Sequence, residues 1–362
     1  MQTDAPQTPS PHAEVPPSRK DAQTRAGSTA AAAPPGRTKS AEVRRASGGA
    51  VDLFQRYAVL LVLVALVAVY SVLAPDTFPT MDTFRVITST QAVLIVAVLG
   101  LTLPFAAGEF DLSFGAVIVW ASTLTAVLTK QQEWPLAAAV PVVLVSCLLW
   151  GALNALFVVG FGISSMVTTL GSSTVIIGLT LAVSQSQVIA GPPELLTNLT
   201  TGKLLGLPYP VWFSFAVAVV VWLILEHTPL GRYLYFTGEG REVARLSGLP
   251  VDRLRTGALI ASALFCGVAG MISFGRLGSA DPNLGSSFLL PGAAAVFLGA
   301  TVVRPGRFNA WGTVIAVYLL VTGVTGLQLL GGAGWLENVF NGGALVLAVT
   351  FAHVVARRRT RV

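Results

Sequence analysis

The chain has 362 residues, of which 53% are hydrophobic and only 11% charged, and its mean hydropathy is +0.71. That balance excludes a soluble domain of this length and describes a multi-spanning membrane protein, with membrane lipid as its surroundings. The net charge of +6 does not mark a nucleic-acid binder, because the basic residues are scattered among apolar runs instead of forming a stripe beside aromatics.

Residues 1–52 are rich in Pro, Ala, Ser, Thr and Arg and nearly lack aliphatic side chains larger than Ala. They cannot bury enough apolar area to offset the entropy of ordering, so a disordered tail is expected. No apolar signal core precedes Tyr57. From there hydropathy predicts spans near 55–75, 87–107, 112–130, 136–160, 163–184, 209–226, 256–275, 288–303, 309–330 and 336–355. The expected fold class is all-α: a polytopic membrane helical bundle of about ten transmembrane helices, whose even number puts both termini on one side.

Charge orients it. With the tail, the island Glu226 to Arg255, the turn Arg304-Pro305-Gly306-Arg307 and the basic tail 357–362 in the cytoplasm, only Arg85, Lys130, Lys203 and Arg276 of the 23 Lys and Arg fall outside. This is the distribution that the positive-inside rule describes, and it makes both termini cytoplasmic. The cores of the spans contain no acid, base or histidine near mid-membrane. A proton- or sodium-coupled carrier commonly keeps such a group in its pathway, so the energy for any transport is expected to come from elsewhere. A channel without a charged filter also fits this pattern.

Ionisable residues do gather at one membrane edge, in Gly108-Glu109-Phe110-Asp111-Leu112-Ser113-Phe114-Gly115. Either the acids are buried with partners, or Asp111 caps the start of a helix; Glu109 lines a path or faces the cytoplasm. Asn154 follows Trp150 by four positions, so the two share a helix face and suit a hydroxyl-rich solute, or else an interhelical hydrogen bond. Thr168, Thr169, Ser172, Ser173 and Thr174 form a polar belt around Gly171, and Gln328 and Asn341 are weaker candidates of the same kind. Cys147 and Cys266 lie in apolar runs and read as small packing residues. The connection from Gln185 to Pro210 is either an interfacial element that receives an external partner or a plain loop.

The most ordered hydrophilic stretch is the loop 227–255. Arg241 to Leu246 has helix-forming composition, a glycine-rich entry and a Gly-Leu-Pro stop, which predicts one short surface helix with Glu242 and Arg245 on a shared face. It is a solvated basic loop, or a helix that docks into a partner protein.

This loop resembles that of ABC-type sugar permeases of the ribose, xylose and galactose class, whose pattern is Gly-Gly-Asn, a gap, then Ala-Arg-Leu-Ser-Gly-Ile. Gly238, Ala244, Arg245, Leu246, Ser247 and Gly248 match it, while Glu239, Gly240 and Leu249 depart. Gly108, Asp111, Leu112, Ser113 and Gly115 match a second pattern, Gly-Gly-Ile-Asp-Leu-Ser-Val-Gly, from which Glu109 and Phe110 depart. Thr168-Thr169-Leu170-Gly171, Leu298-Gly299-Ala300-Thr301, Gly306-Arg307 and Gly312-Thr313 follow in the family's order, so the similarity runs from about 55 to 355.

The resemblance implies a transmembrane permease domain over 53–356 in the cytoplasmic (inner) membrane. It would be a subunit of a binding-protein-dependent ABC importer for a monosaccharide or related small polyol. Implied partners are a cytoplasmic ABC ATPase subunit, an extracytoplasmic sugar-binding protein and a second permease copy or paralogue. The ATPase contact would involve Gly238, Arg241, Glu242, Ala244, Arg245, Leu246, Ser247 and Gly248, and the translocation path Glu109, Asp111, Ser113, Trp150 and Asn154. The chain itself has no phosphate loop: Lys203 follows Gly202, but Leu204 stands where Ser or Thr belongs. No bound cofactor, metal or enzymatic activity is expected, with ATP and Mg used by the partner. The competing readings are a self-contained facilitator or secondary carrier, an ABC permease for a nucleoside or branched-chain amino acid, and a non-transporting membrane scaffold.

Overall fold

The computed structural model describes residues 57–359, so the tail expected at 1–52 and the end of the basic tail, 360–362, lie outside the described residues. Each of the ten apolar runs contains helix. In chain order these are α1 (Tyr57–Leu73), α2 (Met81–Thr90) leading into α3 (Ala92–Ala106), α4 (Phe114–Ala126), α5 (Leu136–Ala155) and α6 (Ser165–Val183). A short strand β1 (Ile189–Ala190), α7 (Glu194–Thr201), β2 (Lys203–Leu204) and β3 (Leu207–Pro208) fill the next connection. Then come α8 (Tyr209–His227), α9 (Pro229–Glu239), α10 (Arg241–Leu246), α11 (Val251–Leu277), β4 (Ser279–Ala280), α12 (Gly285–Gly299), α13 (Ala310–Leu329) and α14 (Trp335–Arg359). Both α4 and α5 end in a π-helical turn, Val127–Gln131 and Leu156–Gly160. Among the described residues six helical segments are long and apolar enough to cross a membrane, which makes this a polytopic helical membrane protein.

The bundle is built around α3 and α11. All fifteen residues of α3 are buried, as expected for a helix that is apolar on every side. Against it lies α11, which also packs on α4 and α5. At 1.5 Å per residue its 27 residues reach about 40 Å, enough to join the two ends of the bundle. Its last turn stops at Gly278, whose φ of +75° is the left-handed conformation that glycine adopts freely.

Small residues set how closely α11 approaches its neighbours. A Cβ added to Gly270 would overlap the carbonyl oxygen of Ile118 in α4, and one on Gly267 would lie 2.9 Å from Cys147 Sγ in α5. Between helices in lipid, where apolar surface gives little net drive to associate, this backbone-level contact supplies much of the attraction. Both cysteines are free and buried, as their apolar setting suggests.

The connection from 185 to 210 holds more structure than a plain loop. β1 pairs antiparallel with β4, aligning Ile189 with Ala280, and β2 pairs with β3. α7 rests on the end of α11, where Leu196 and Thr200 meet Gly275.

Gly270→Ala is expected to lower stability by about 1–3 kcal/mol, the usual cost of overpacking a tight core. Gly257→Ala is the control: the added methyl would have no atom within 4 Å, and the gain in helix propensity should raise stability by up to ~1 kcal/mol. Thermal unfolding of the two variants in one detergent tests the contrast.

Candidate functional site

Between α3 and α4 the chain leaves the helix for seven residues, 107–113, in the middle of packed protein. Non-helical backbone at such depth is tolerated only where its polar groups find partners. Here they do. The amides of Gly108 and Glu109 donate back to Phe105 O and Pro104 O. Those of Phe110 and Leu112 donate to Ser165 Oγ (3.1 Å) and Thr169 Oγ1 (3.0 Å) on α6. Ser165 and Thr169 thus act as the break's acceptors, and Thr169 is the member of the predicted polar belt that reaches it.

Asp111 closes the break from inside. Its Oδ1 accepts from the backbone N–H (3.0 Å) and hydroxyl (2.6 Å) of Ser113, and its Oδ2 from Ser262 Oγ (2.8 Å) on α11. Ser113 occupies the N-cap position of α4 and makes no side-chain cap bond, so the expected cap by Asp111 is realised as a two-residue turn just before the helix. Burial pushes the Asp111 carboxyl above the usual carboxylate range, and the bonds from Ser113 and Ser262 pull against that rise. Asn154 Nδ2 donates to Ser113 Oγ at 2.9 Å, which adds α5 to the same thread. Trp150, one turn earlier, packs edge-on against Trp120 at 6.2 Å between ring centroids. Asp111, Ser113 and Asn154 are therefore brought together, whereas Trp150 lies beside them in a separate aromatic contact.

Glu109, two residues before Asp111, is 1% exposed and accepts from two arginines through one oxygen, Oε1. Arg255 Nε in the first turns of α11 stands at 2.5 Å and Arg241 Nη2 at the start of α10 at 2.6 Å. Arg241 also donates to Gly108 O at 3.0 Å. The backbones meet here as well: a Cβ on Gly238 would overlap Ala106 O, so no larger residue fits without displacing the break. Gly108, at φ +77°, faces Gly238 from the other side.

α10 covers the predicted residues Arg241–Leu246. Gly240 precedes it in an extended conformation, and Gly248, at φ +81°, ends it with a Schellman pair of bonds, Gly248 N to Arg245 O and Leu249 N to Ala244 O. Ala244 is the buried residue of this helix. Glu242, Arg245, Ser247 and Gly248 are exposed or nearly so, Val243 is 59% exposed and Leu246 88%. Arg245 pairs with Asp252 at 2.9 Å, not with Glu242 on its own helix.

Two parts of this assembly are absent from the expectations above. The segment before α10 is itself helical, α9, entered through Thr228, which accepts from Gly231 N at 3.5 Å, and through Pro229 at the first position. That Thr-Pro pair was the available signal. α9 is pinned to the turn after α12: Tyr235 donates to Phe308 O (2.5 Å), and Arg307 lies over the Tyr235 ring while pairing with Glu239. Burial, and then the nearby Glu226 carboxylate, push the Tyr235 phenol up to about 12, so it remains a neutral donor. Asn309 shapes this turn, capping α13 through Gly312 N (2.7 Å) and donating to Gly299 O, Val302 O and Arg307 O. The other missed part is Arg255, which reads in the sequence as one more loop charge. Its side chain is only 10% exposed.

Comparison with known proteins gives this arrangement a context. Residues 83–349 match the family described as branched-chain amino acid transport system / permease component. The ribose import permease protein of Haemophilus influenzae is 29% identical over 291 residues, covering 79% of this chain and 90% of that protein. Its Escherichia coli K12 counterpart is 30% identical over 294 residues, covering 80% and 91%. The autoinducer 2 import system permease protein of Yersinia enterocolitica is 31% identical over 260 residues, covering 70% and 78%. No solved structure matches the chain significantly.

Glu109→Gln leaves the buried Arg255 beside an uncharged amide, with only the more distant, half-exposed Asp252 (3.8 Å) as a carboxylate partner, and is expected to cost about 3 kcal/mol in unfolding experiments. Arg241→Gln, at a site half open to water, should cost ~1 kcal/mol or less. Combining Glu109→Gln with Arg255→Met should recover much of the loss, because it removes the stranded charge.

Proposed function

The chain belongs to the permease family that matches residues 83–349, and on that premise we propose that it is the membrane-spanning subunit of a binding-protein-dependent ABC importer. Its cargo is a monosaccharide or related small polyol, and it sits in the cytoplasmic membrane. The sugar import permeases aligned over about four-fifths of the chain support that cargo class. We assign ten crossings with both termini cytoplasmic, supported by the clustering of Lys and Arg on the side of α9, α10 and the 304–307 turn. A separate ATPase supplies the energy, a second permease copy or paralogue completes the pathway, and an extracytoplasmic binding protein delivers the solute.

The observation that carries this reading is the exposed α10 joined to a buried clamp. This six-residue surface helix presents Val243 and Leu246 outward, an apolar pair that a docked partner would cover. Ala244 and Arg241 face inward, and Arg241 ends on Glu109, beside the helix break. A push on Leu246 by a closing ATPase therefore reaches the 107–113 segment through one ion pair and one glycine contact. From there it passes to α5 and α11 through Asn154 and Ser262. Asp111, Ser113 and Asn154 take the role of joining helices in this scheme, because each is buried among protein partners. The ATPase must bind one bundle arrangement better than another for hydrolysis to shift the equilibrium.

Reconstitution in vesicles with the co-purifying ATPase and binding protein tests this. Labelled aldopentoses, aldohexoses and their alditols should accumulate only with ATP, and Leu246→Asp should cut uptake by at least about tenfold, equivalent to ~1.4 kcal/mol of lost coupling. Uptake by the purified chain alone would establish a self-contained carrier instead. A cysteine at position 245 should be labelled only from the ATPase side; labelling from the opposite side refutes the orientation.

A further inference from the structure

At the end of the bundle opposite α10 lies a cavity of about 560 Å³, within the ~300–1,000 Å³ range of small-molecule sites. It is lined by Gln91 at the start of α3, Ser273 and Arg276 of α11, Phe288 of α12, and Glu337 and Asn341 of α14. Two of these side chains each hold one buried atom without a hydrogen-bond partner. Arg276 Nη2 donates to Ser89 Oγ at 3.2 Å, but its Nη1 is buried without a hydrogen-bond partner. Asn341 is 3% exposed, and its Oδ1 is likewise unpartnered. Buried polar atoms are rarely left so, since each carries a desolvation penalty of about 1–3 kcal/mol.

We propose that this cavity is a low-affinity docking site for the solute on the entry side of the permease, and that its ligand is a neutral polyhydroxylated molecule. The inference rests on the importer reading above and adds the place and chemistry of solute contact. The chemistry follows from what converges there. The lining offers a guanidinium, which donates, and a side-chain amide, which can donate and accept, and hydroxyl groups on a ligand suit both kinds of partner. Phe288 offers an apolar wall for the C–H face of a sugar ring. An anion would satisfy Arg276 but would face both the Asn341 oxygen and the Glu337 carboxylate; a cation would face Arg276. Position supports the assignment. Arg276 lies 21 residues from Arg255 on the same helix, roughly 32 Å at 1.5 Å per residue, so α11 joins this cavity directly to the Glu109 clamp.

The test uses the complete complex in vesicles with the same labelled sugars. Arg276→Ala and Asn341→Leu should each lower uptake about tenfold, the effect of losing one hydrogen bond to a charged or buried partner, while ATP hydrolysis stays near the wild-type rate. Val321→Trp, which fills the cavity without removing a polar contact, should block uptake in the same way. Wild-type uptake in all three variants overturns the site while leaving the importer reading intact. A fall in hydrolysis that parallels the fall in uptake in all three assigns the residues to folding alone and also overturns it. No ATP-driven uptake of any of these sugars by the wild-type complex overturns the importer reading, and this site with it.

Discussion

One carboxylate organises the end of this molecule that carries α9 and α10. Glu109 is almost completely buried, and an ionised acid there is tolerable only because two guanidinium groups reach it at hydrogen-bond distance. Those groups come from separate places: Arg241 opens the short surface helix α10, and Arg255 begins the long core helix α11. The acid itself stands on the break between α3 and α4. The break and the two neighbouring helices α10 and α11, which come much later in the chain, are thus fixed to a single oxygen atom, and moving any one of them disturbs a buried ion pair. Such a joint has few intermediate positions, which is the property required of a part that switches between arrangements.

The break at 107–113 is the complement of that joint. A continuous helix from α3 to α4 would have no polar backbone to anchor. Here the freed amides are taken up by Ser165 and Thr169, and Asp111 ties the segment to Ser262 and, through Ser113, to Asn154. Four helices therefore share one small polar cluster inside an apolar bundle. Hydrogen bonds of this kind between membrane helices are each modest, so their value here lies as much in fixing register as in energy.

The parts of this design that were legible in the sequence are those written locally. Gly240 and Gly248 bracket α10, and its boundaries follow from them because glycine punctuation and helix propensity agree. The apolar runs announce their helices for the same reason, each being long enough to signal alone. What stayed hidden depends on distance. Glu109 and Arg255 are 146 positions apart, and although the apolar setting of Glu109 allowed a buried, partnered acid, nothing near either residue names the other as its partner. Arg255 sits just beyond four other island arginines, where a charge reads as surface, yet two residues after Arg253 it has turned inward. The polar belt on α6 was visible as composition, but only the fold shows that Thr169 serves the α3–α4 break while Thr174 remains exposed. α9 escaped for a different reason: Gly231 within its first turn argues against helix, and the structure needs that glycine because a Cβ would overlap Leu225 O.

α11 gives these pieces a common axis. Its first turns hold Arg255 on Glu109, its next turns place Ser262 on Asp111, its middle presses Gly267 and Gly270 against α5 and α4, and its last turn carries Arg276. A helix seated this closely, with Gly270 against the backbone of α4 and Gly267 against Cys147 of α5, has little room to bend or shift on its own. It can move only with the helices it touches. A displacement at the α10 end would therefore move α11 together with the helices it packs against. What must deform is the 107–113 segment, whose bonds are to side chains that can rotate, and not the packed glycine contacts, which have no second position to adopt.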